Sequence, residues 1–223
     1  MATARLLESN ESLDVRKIIC IGRNYSDHAK EMNAPIPEAP VFFLKPPTAV
    51  IGEGESIAIP SISHDLHHEV EMTVLIGRGG KNIRKEDAFG HIAGYGIGLD
   101  MTLRDVQSEA KKKGLPWTLA KGFDTSAPMS GFLPAARIAD PHNVQVSLEV
   151  NGTLRQKSST GNFLFRIDDL IAYISRFMTL ERGDVMFTGT PEGVAAVTSG
   201  DRLVAKLLTP NDSPLISLMV NVG

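Results

Sequence analysis

Cysteine is almost missing: Cys20 is the only one in 223 residues. An internal disulfide is therefore impossible, and nothing in the chain depends on an oxidising compartment. Long apolar runs are missing too, none approaching the ~18 residues of a membrane-spanning helix. Met1–Asn10 carries Arg5 and Glu8 but no continuous hydrophobic stretch, which argues against a secretory leader, and it lacks the arginine-rich, acid-poor make-up of a transit peptide. The cytoplasm is the expected compartment. Neither sign of charge is in excess: 23 Lys and Arg against 26 Asp and Glu leave a net −3. No stretch is strongly basic, so neither a nucleic acid nor a membrane is an expected partner. Internal repeats and low-complexity segments are absent.

Hydrophobic residues make up 42% and charged residues 22%, the proportions of a folded globular protein. Residues 1–16 read as an N-terminal extension and 17–223 as one domain. Lys17 to Ile21 is a short β-branched run stopped by Gly22, a buried strand. Ser26 to Met32 reads as a short helix with Ser26 as cap, followed by a loop holding Pro35 and Pro37. Val41 to Leu44 is a further strand, and His68 to Ile76 a strand entering the core. Ile92 to Met101 carries Gly94, Gly96 and Gly98, a density that marks close approach by another backbone or a ligand. The best helix runs from Thr102, its expected cap, to Lys113 before Gly114. Val144 to Lys157 is a hairpin around Asn151-Gly152, and Asp168 to Met178 has helical apolar spacing. Asp184 to Thr188, Arg202 to Leu208 and Leu215 to Val222 close the pattern as strands. The fold class is α+β, with a β-rich, mixed, curved sheet and few short helices.

Chemistry concentrates in a few places. Glu69 and Glu71 lie two apart, so in a strand both carboxylates leave one face, with Val70 and Met72 turned to the core. Asp100, at the end of the glycine-rich strand, is a third acid. Three oxygen ligands without thiolate suit a hard cation, Mg²⁺ or Mn²⁺. The plain alternative is the solvated side of an edge strand. His28 and Glu31, three apart on a helix, can pair so that the carboxylate orients the imidazole as a base; a surface ion pair fits the same spacing. Lys45 and Lys121 stand at the rims of apolar segments, where a lysine can bind a substrate carboxylate or simply be solvated. Arg104 and Gln107 share one helix face beside Asp100. Thr188 to Gly193 ends a strand in a loop whose hydroxyls and N–H groups offer an anion cradle or an ordinary turn. Cys20, His67 and His68 read as structural.

Taken in order, Gly22-Arg23-Asn24-Tyr25-x-x-His28-x-x-Glu31, His68-Glu69-Val70-Glu71, Leu99-Asp100-Met101-Thr102, Arg104-Asp105-Val106-Gln107, Gly114 to Lys121 and Thr188-Gly189-Thr190-Pro191 form a pattern. The sequence resembles the fumarylacetoacetate hydrolase family, within it the short acylpyruvase branch, from about Lys17 to Arg202. The resemblance implies a β-rich roll, a homodimer, and a Mg²⁺ or Mn²⁺ site made by Glu69, Glu71 and Asp100. His28 and Glu31 match its water-activating pair, and Lys121 and Thr190 its substrate contacts. Arg23, Lys45, Arg104 and Gln107 join them as substrate-binding expectations. Val194-Ala195-Ala196 and Ala127 depart from the family's usual residues; the first can alter a loop near the site, and neither is a metal ligand or part of the His28–Glu31 pair.

The activity implied is metal-dependent hydrolysis of the C–C bond of acylpyruvates to pyruvate and a carboxylic acid. Oxaloacetate decarboxylation and oxaloacetate keto–enol tautomerisation are the alternatives, because each passes through the same enolate. A catalytically silent metal-binding dimer is a third. Mitochondrial location is the alternative to the cytoplasm, since related eukaryotic proteins can be mitochondrial.

Overall fold

A computed structural model describes residues 2–9, 11–26, 31 and 37–223. The strands are β1 (Thr3–Arg5), β2 (Ser12–Asp14), β3 (Ile18–Gly22), β4 (Val41–Lys45), β5 (Val50–Ile51), β6 (Ser56–Ile57), β7 (Leu66–His68), β8 (Val70–Ile76) and β9 (Ile92–Leu99). They continue as β10 (Thr102–Leu103), β11 (Ala127–Pro128), β12 (Leu133–Pro134), β13 (Gln145–Val150), β14 (Thr153–Ser159), β15 (Val185–Phe187), β16 (Ala195–Val197), β17 (Arg202–Leu208) and β18 (Pro214–Val222). A six-stranded sheet runs β12-β9-β8-β15-β3-β4, and a five-stranded sheet runs β14-β13-β17-β18-β6. Each contains one parallel ladder, β15 with β3 and β18 with β6, so the sheets are mixed. The α+β expectation agrees with this architecture. Among the described residues no helix is long and apolar enough to cross a membrane.

Strand alternation explains the core. On β8, Val70, Met72, Val74 and Ile76 point to a cluster shared with Leu148, Leu203, Leu218 and Val220 of the second sheet. Leu75 points the other way, to Ile18, Cys20, Phe132 and Phe187. The β1–β2 hairpin covers that second face by burying Ala4, Leu13 and Val15. Every residue of β8 is buried because β9 and β15 flank it and apolar layers cover both faces. The edge-strand alternative for Glu69 and Glu71 is thereby removed.

The strand expected over residues 68–76 is in fact two. β7 pairs with β10 and β16, whereas β8 pairs with β9 and β15, so the chain changes sheets at Glu69. Its neighbour changes sheets at Asp100 and Met101, between β9 and β10. The Asp100 N–H donates to the Glu69 carbonyl at 2.8 Å, locking the two switch points together. Thr102 also departs from expectation. It belongs to β10 and its hydroxyl donates to the Asp100 carbonyl at 3.0 Å, so the helix starts two residues later, at Arg104–Lys113. Asp105 stitches that start, accepting from the Ser63 hydroxyl at 2.6 Å and the His64 N–H at 3.0 Å. The later helix covers Ile167–Ile174, shorter than its apolar spacing suggested, because the Ser175 hydroxyl takes the Ile83 N–H and its carbonyl takes the Asn82 N–H. The helix expected over Ser26 to Met32 lies mostly outside the described residues.

The glycines of β9 fit close approach by neighbouring backbone and side chains. A Cβ on Gly94 would stand 2.3 Å from the Leu133 carbonyl oxygen of β12, and one on Gly98 would stand 2.7 Å from the Phe187 ring. Gly94→Ala is expected to lower unfolding free energy by about 1–3 kcal/mol, the usual penalty of overpacking, measured by urea denaturation.

Candidate metal and substrate site

The sheet-switching geometry brings three acids together. Glu69 and Asp100 sit at the two linked switch points, and Glu71 is one step into β8, opposite Gly98. One oxygen from each can be chosen so that all three lie within 4.8 Å of one another, and all three residues are buried. Burial, then the charges of Asp100 and Glu69, push the Glu71 carboxyl well above the usual carboxylate range. Its carboxylate accepts the Gly189 N–H at 2.6 Å. Gly189 holds φ at +102°, and a Cβ there would fall 2.6 Å from Cβ of Asn24, so no other residue fits.

Cations counter the acids. Lys121 Nζ lies 2.7 Å from both Glu69 Oε2 and Asp100 Oδ2. Burial alone would lower its pKa, but the Asp100 and Glu69 charges outweigh that and hold it above the usual lysine range. Arg104 donates to Glu69 Oε1 at 2.5 Å and to Gln107 Oε1 at 2.8 Å, so these two form one unit, as their helical spacing suggested. Phe43 places its ring 5.0 Å from Lys121 Nζ and stacks edge-on against Trp117, beside a cleft of ≈ 400 Å³.

Lys45 differs from expectation. Its side chain is fully buried, with Nζ 2.8 Å from Asp100 Oδ1. That contact is an ion pair; the three N–H groups of Lys45 donate to the carbonyls of Met101 at 3.2 Å, Ser126 at 2.9 Å, and Lys121. With every donor engaged, it braces Asp100 and has no proton left for a substrate.

The loop from Thr188 to Gly193 also differs. Two of its N–H groups turn to the protein's own acids, Gly189 to Glu71 and Gly193 to Glu31 at 3.1 and 3.2 Å, while Thr188 N–H donates to the Met72 carbonyl. Those two glycine N–H groups brace carboxylates of the chain itself. Thr190 is buried, and its hydroxyl oxygen accepts from Gln156 Nε2 at 2.9 Å. Arg23 adopts the left-handed conformation, φ +60°, next to the buried Asn24. The Asn24 carboxamide donates to the carbonyls of Thr188 at 2.8 Å and Phe165 at 3.1 Å, anchoring this turn to the loop. His28 lies outside the described residues, so its expected pairing with Glu31 does too. Cys20 and His68 are buried, as read from the sequence.

Gln156 escaped the sequence reading. It is the one buried residue of β14, in the pattern exposed–exposed–exposed–buried–exposed with two half-buried residues after it. The signal was a lone amide on the inward side of a polar strand, and that signal is weak because such strands carry many polar residues.

The residues fit a hard divalent cation. Among the described residues three buried carboxylates converge without a thiolate or a ligating imidazole, the oxygen donor set that Mg²⁺ and Mn²⁺ take. Lys121 and Arg104 stand beside it as fixed positive charges.

Known proteins resemble this chain in sequence and fold. The family model described as the fumarylacetoacetate (FAA) hydrolase C-terminal domain matches residues 17–217. The chain is 50% identical over 190 residues to a rat protein named mitochondrial oxaloacetate tautomerase FAHD1, covering 85% of this chain and 86% of that one. It is 50% identical over 190 residues to oxaloacetate tautomerase YcgM of Escherichia coli, covering 85% and 87%. Its fold superposes with a TM-score of 0.92 on the crystal structure of fumarylpyruvate hydrolase from Pseudomonas aeruginosa in complex with Mn²⁺ and pyruvate, at 38% identity over 99% of this chain and 95% of that one. With the acids, the lysine and the loop all in place and similarity along nearly the whole chain, this protein belongs to the fumarylacetoacetate hydrolase family.

Proposed function

We propose that this chain is a divalent-metal enzyme of 2-keto acids that works by forming an enolate, with oxaloacetate keto–enol tautomerisation as its leading reaction. The single observation carrying this reading is the convergence of Glu69, Glu71 and Asp100 around Lys121 Nζ, 2.7 Å from two of them. The names of relatives about half identical favour tautomerisation over the hydrolysis that the acylpyruvase resemblance put first.

Glu69, Glu71 and Asp100 hold the cation, Mg²⁺ or Mn²⁺, which when bound supplies Lewis-acid polarisation of the 2-keto oxygen. Lys121, kept protonated by its two carboxylates, donates its remaining hydrogen bond to the enolate oxygen as negative charge develops there. Thr190 donates to the substrate carboxylate. Glu31, whose carboxylate accepts the Gly193 N–H, would orient His28 as the proton carrier: it takes the C3 proton and returns a proton to oxygen, or to carbon in the reverse direction.

Hydrolysis of acylpyruvates is the second reading, favoured by the likeness to the fumarylpyruvate hydrolase structure. There His28 deprotonates water, which attacks the 4-keto carbon, and the C–C bond breaks to give the pyruvate enolate. Two assays decide: loss of the enol absorbance of oxaloacetate, and pyruvate release from acetylpyruvate and fumarylpyruvate, each repeated with EDTA. EDTA is expected to abolish the activity, and Mn²⁺ to restore it. His28→Ala is expected to lower kcat about 10²–10⁴-fold, the worth of a general base. Decarboxylation of oxaloacetate, which needs no base, should survive that substitution better. Turnover untouched by EDTA would end the reading.

A homodimer is part of this proposal. Exposed Ile62, Leu115 and Leu119 line an apolar cleft of ≈ 490 Å³ along the Arg104–Lys113 helix, a surface suited to a second copy. Sedimentation velocity at micromolar protein should give twice the chain mass.

A further inference from the structure

Gln156 joins parts of the site that come from distant stretches of chain. Its Oε1 accepts the Val70 N–H at 3.0 Å and faces His68 Nδ1 at 2.9 Å. Its Nε2 donates to Thr190 Oγ1 at 2.9 Å and to the Pro191 carbonyl at 2.9 Å. The orientation of the amide is fixed, because the Val70 N–H can only donate and the Pro191 carbonyl can only accept. Val70 is the residue between two of the acids, and Pro191 follows Thr190. One buried side chain therefore clamps the acid-bearing strand to the loop that carries the hydroxyl.

The chemistry of that hydroxyl follows. Thr190 Oγ1 spends a lone pair on Gln156, and among the described residues nothing accepts its proton. A buried hydroxyl with an unused proton is a donor waiting for an acceptor.

We propose that Gln156 is a positioning residue for the 2-keto-acid carboxylate: it holds the Thr190 hydroxyl as a pure donor, at a set height above the strand of Glu69 and Glu71. This rests on the function proposed above. Gln156→Met keeps the volume and removes both the donor and the acceptor. Gln156→Glu keeps the acceptor for Val70 and His68 and removes the donor, and it serves if the methionine variant does not fold.

Calorimetric titration of Mn²⁺-loaded protein with pyruvate tests it. Either Gln156 variant is expected to weaken pyruvate binding about tenfold or more, the worth of a hydrogen bond to a charged acceptor. Thr190→Val should do the same. Combining Thr190→Val with Gln156→Met should add little, because both remove one interaction. Mn²⁺ affinity measured on the same samples should change less than pyruvate affinity. Pyruvate affinity unchanged in a folded Gln156 variant, or losses that multiply in the double variant, would overturn the role while leaving the proposed function standing. A wild-type chain that binds no Mn²⁺ would overturn both.

Discussion

Asp100→Asn is expected to lower kcat/KM by at least about 10³ and to remove measurable Mn²⁺ binding. The substitution preserves shape and deletes one negative charge from a donor set of three. Lewis-acid polarisation contributes several kcal/mol to a reaction of this kind, and each 1.36 kcal/mol is tenfold in rate. The loss also disturbs the cations. Lys45 and Lys121 both face Asp100, at 2.8 and 2.7 Å, so removing its charge leaves two buried ammonium groups with Glu69 as the remaining counter-ion of Lys121. Titration calorimetry with Mn²⁺ on the apo protein separates the two effects, because it reads the cation without any turnover. Mn²⁺ affinity within twofold of the wild type would show that Asp100 is not a ligand.

Lys45→Met is expected to destabilise the fold by about 3–5 kcal/mol, the range found when one member of a buried ion pair is removed. Methionine fills most of the same volume, so the loss is electrostatic: Asp100 Oδ1 loses its 2.8 Å partner, and three carbonyls lose a shared donor. Urea denaturation reads this directly. The double variant with Asp100→Asn should lose less than the sum of the single variants, since the carboxylate stranded by the first change is neutralised by the second. A lysine that only touched substrate would raise KM and leave the urea midpoint in place. That outcome would restore the substrate-binding expectation for Lys45.

The contrast between Lys45 and Lys121 shows where sequence reading reaches its limit. Both follow apolar segments, and both looked like rim lysines. Lys121 lies at the end of a four-residue helix, Thr118–Lys121, that aims its ammonium at the acids. Lys45 closes β4, against β3, where the chain behind the acids surrounds it with carbonyls. Nothing in the local pattern of either lysine tells which groups its ammonium meets, because the partners of Lys45 at Met101, Lys121 and Ser126 lie 56 to 81 residues away. Gln156 was missed for the same reason: its partners at Val70 and Thr190 lie 86 and 34 residues off.

The reading of Glu69 and Glu71 as partners on one strand captured their shared direction, while the cause was different. Period-2 alternation reports which side of a strand a residue leaves, and it correctly sent Val70 and Met72 to the core. It does not report where a strand changes partner. The two acids farthest apart in sequence, Glu69 and Asp100, meet because both strands leave one sheet at the same level, tied by the Asp100 N–H and the Glu69 carbonyl. Asn151 and Gly152, by contrast, were readable because a two-residue turn carries its own instructions, and both adopt the positive φ that turn needs, +52° and +77°.

The amino-acid sequence alone determined the α+β class, most strands, the Asn-Gly hairpin, the glycine-lined close approach and, through its ordered motifs, the acids and their family. Those features depend on neighbours a few residues away, on side-chain spacing, or on residue types that stand in fixed order. Tertiary structure alone decided that Lys45 braces Asp100, that the loop N–H groups serve Glu71 and Glu31, and that Gln156 spans the site. Each of those is a polar group taking a partner far along the chain, and that choice is set by which donor or acceptor the packing brings within hydrogen-bond reach.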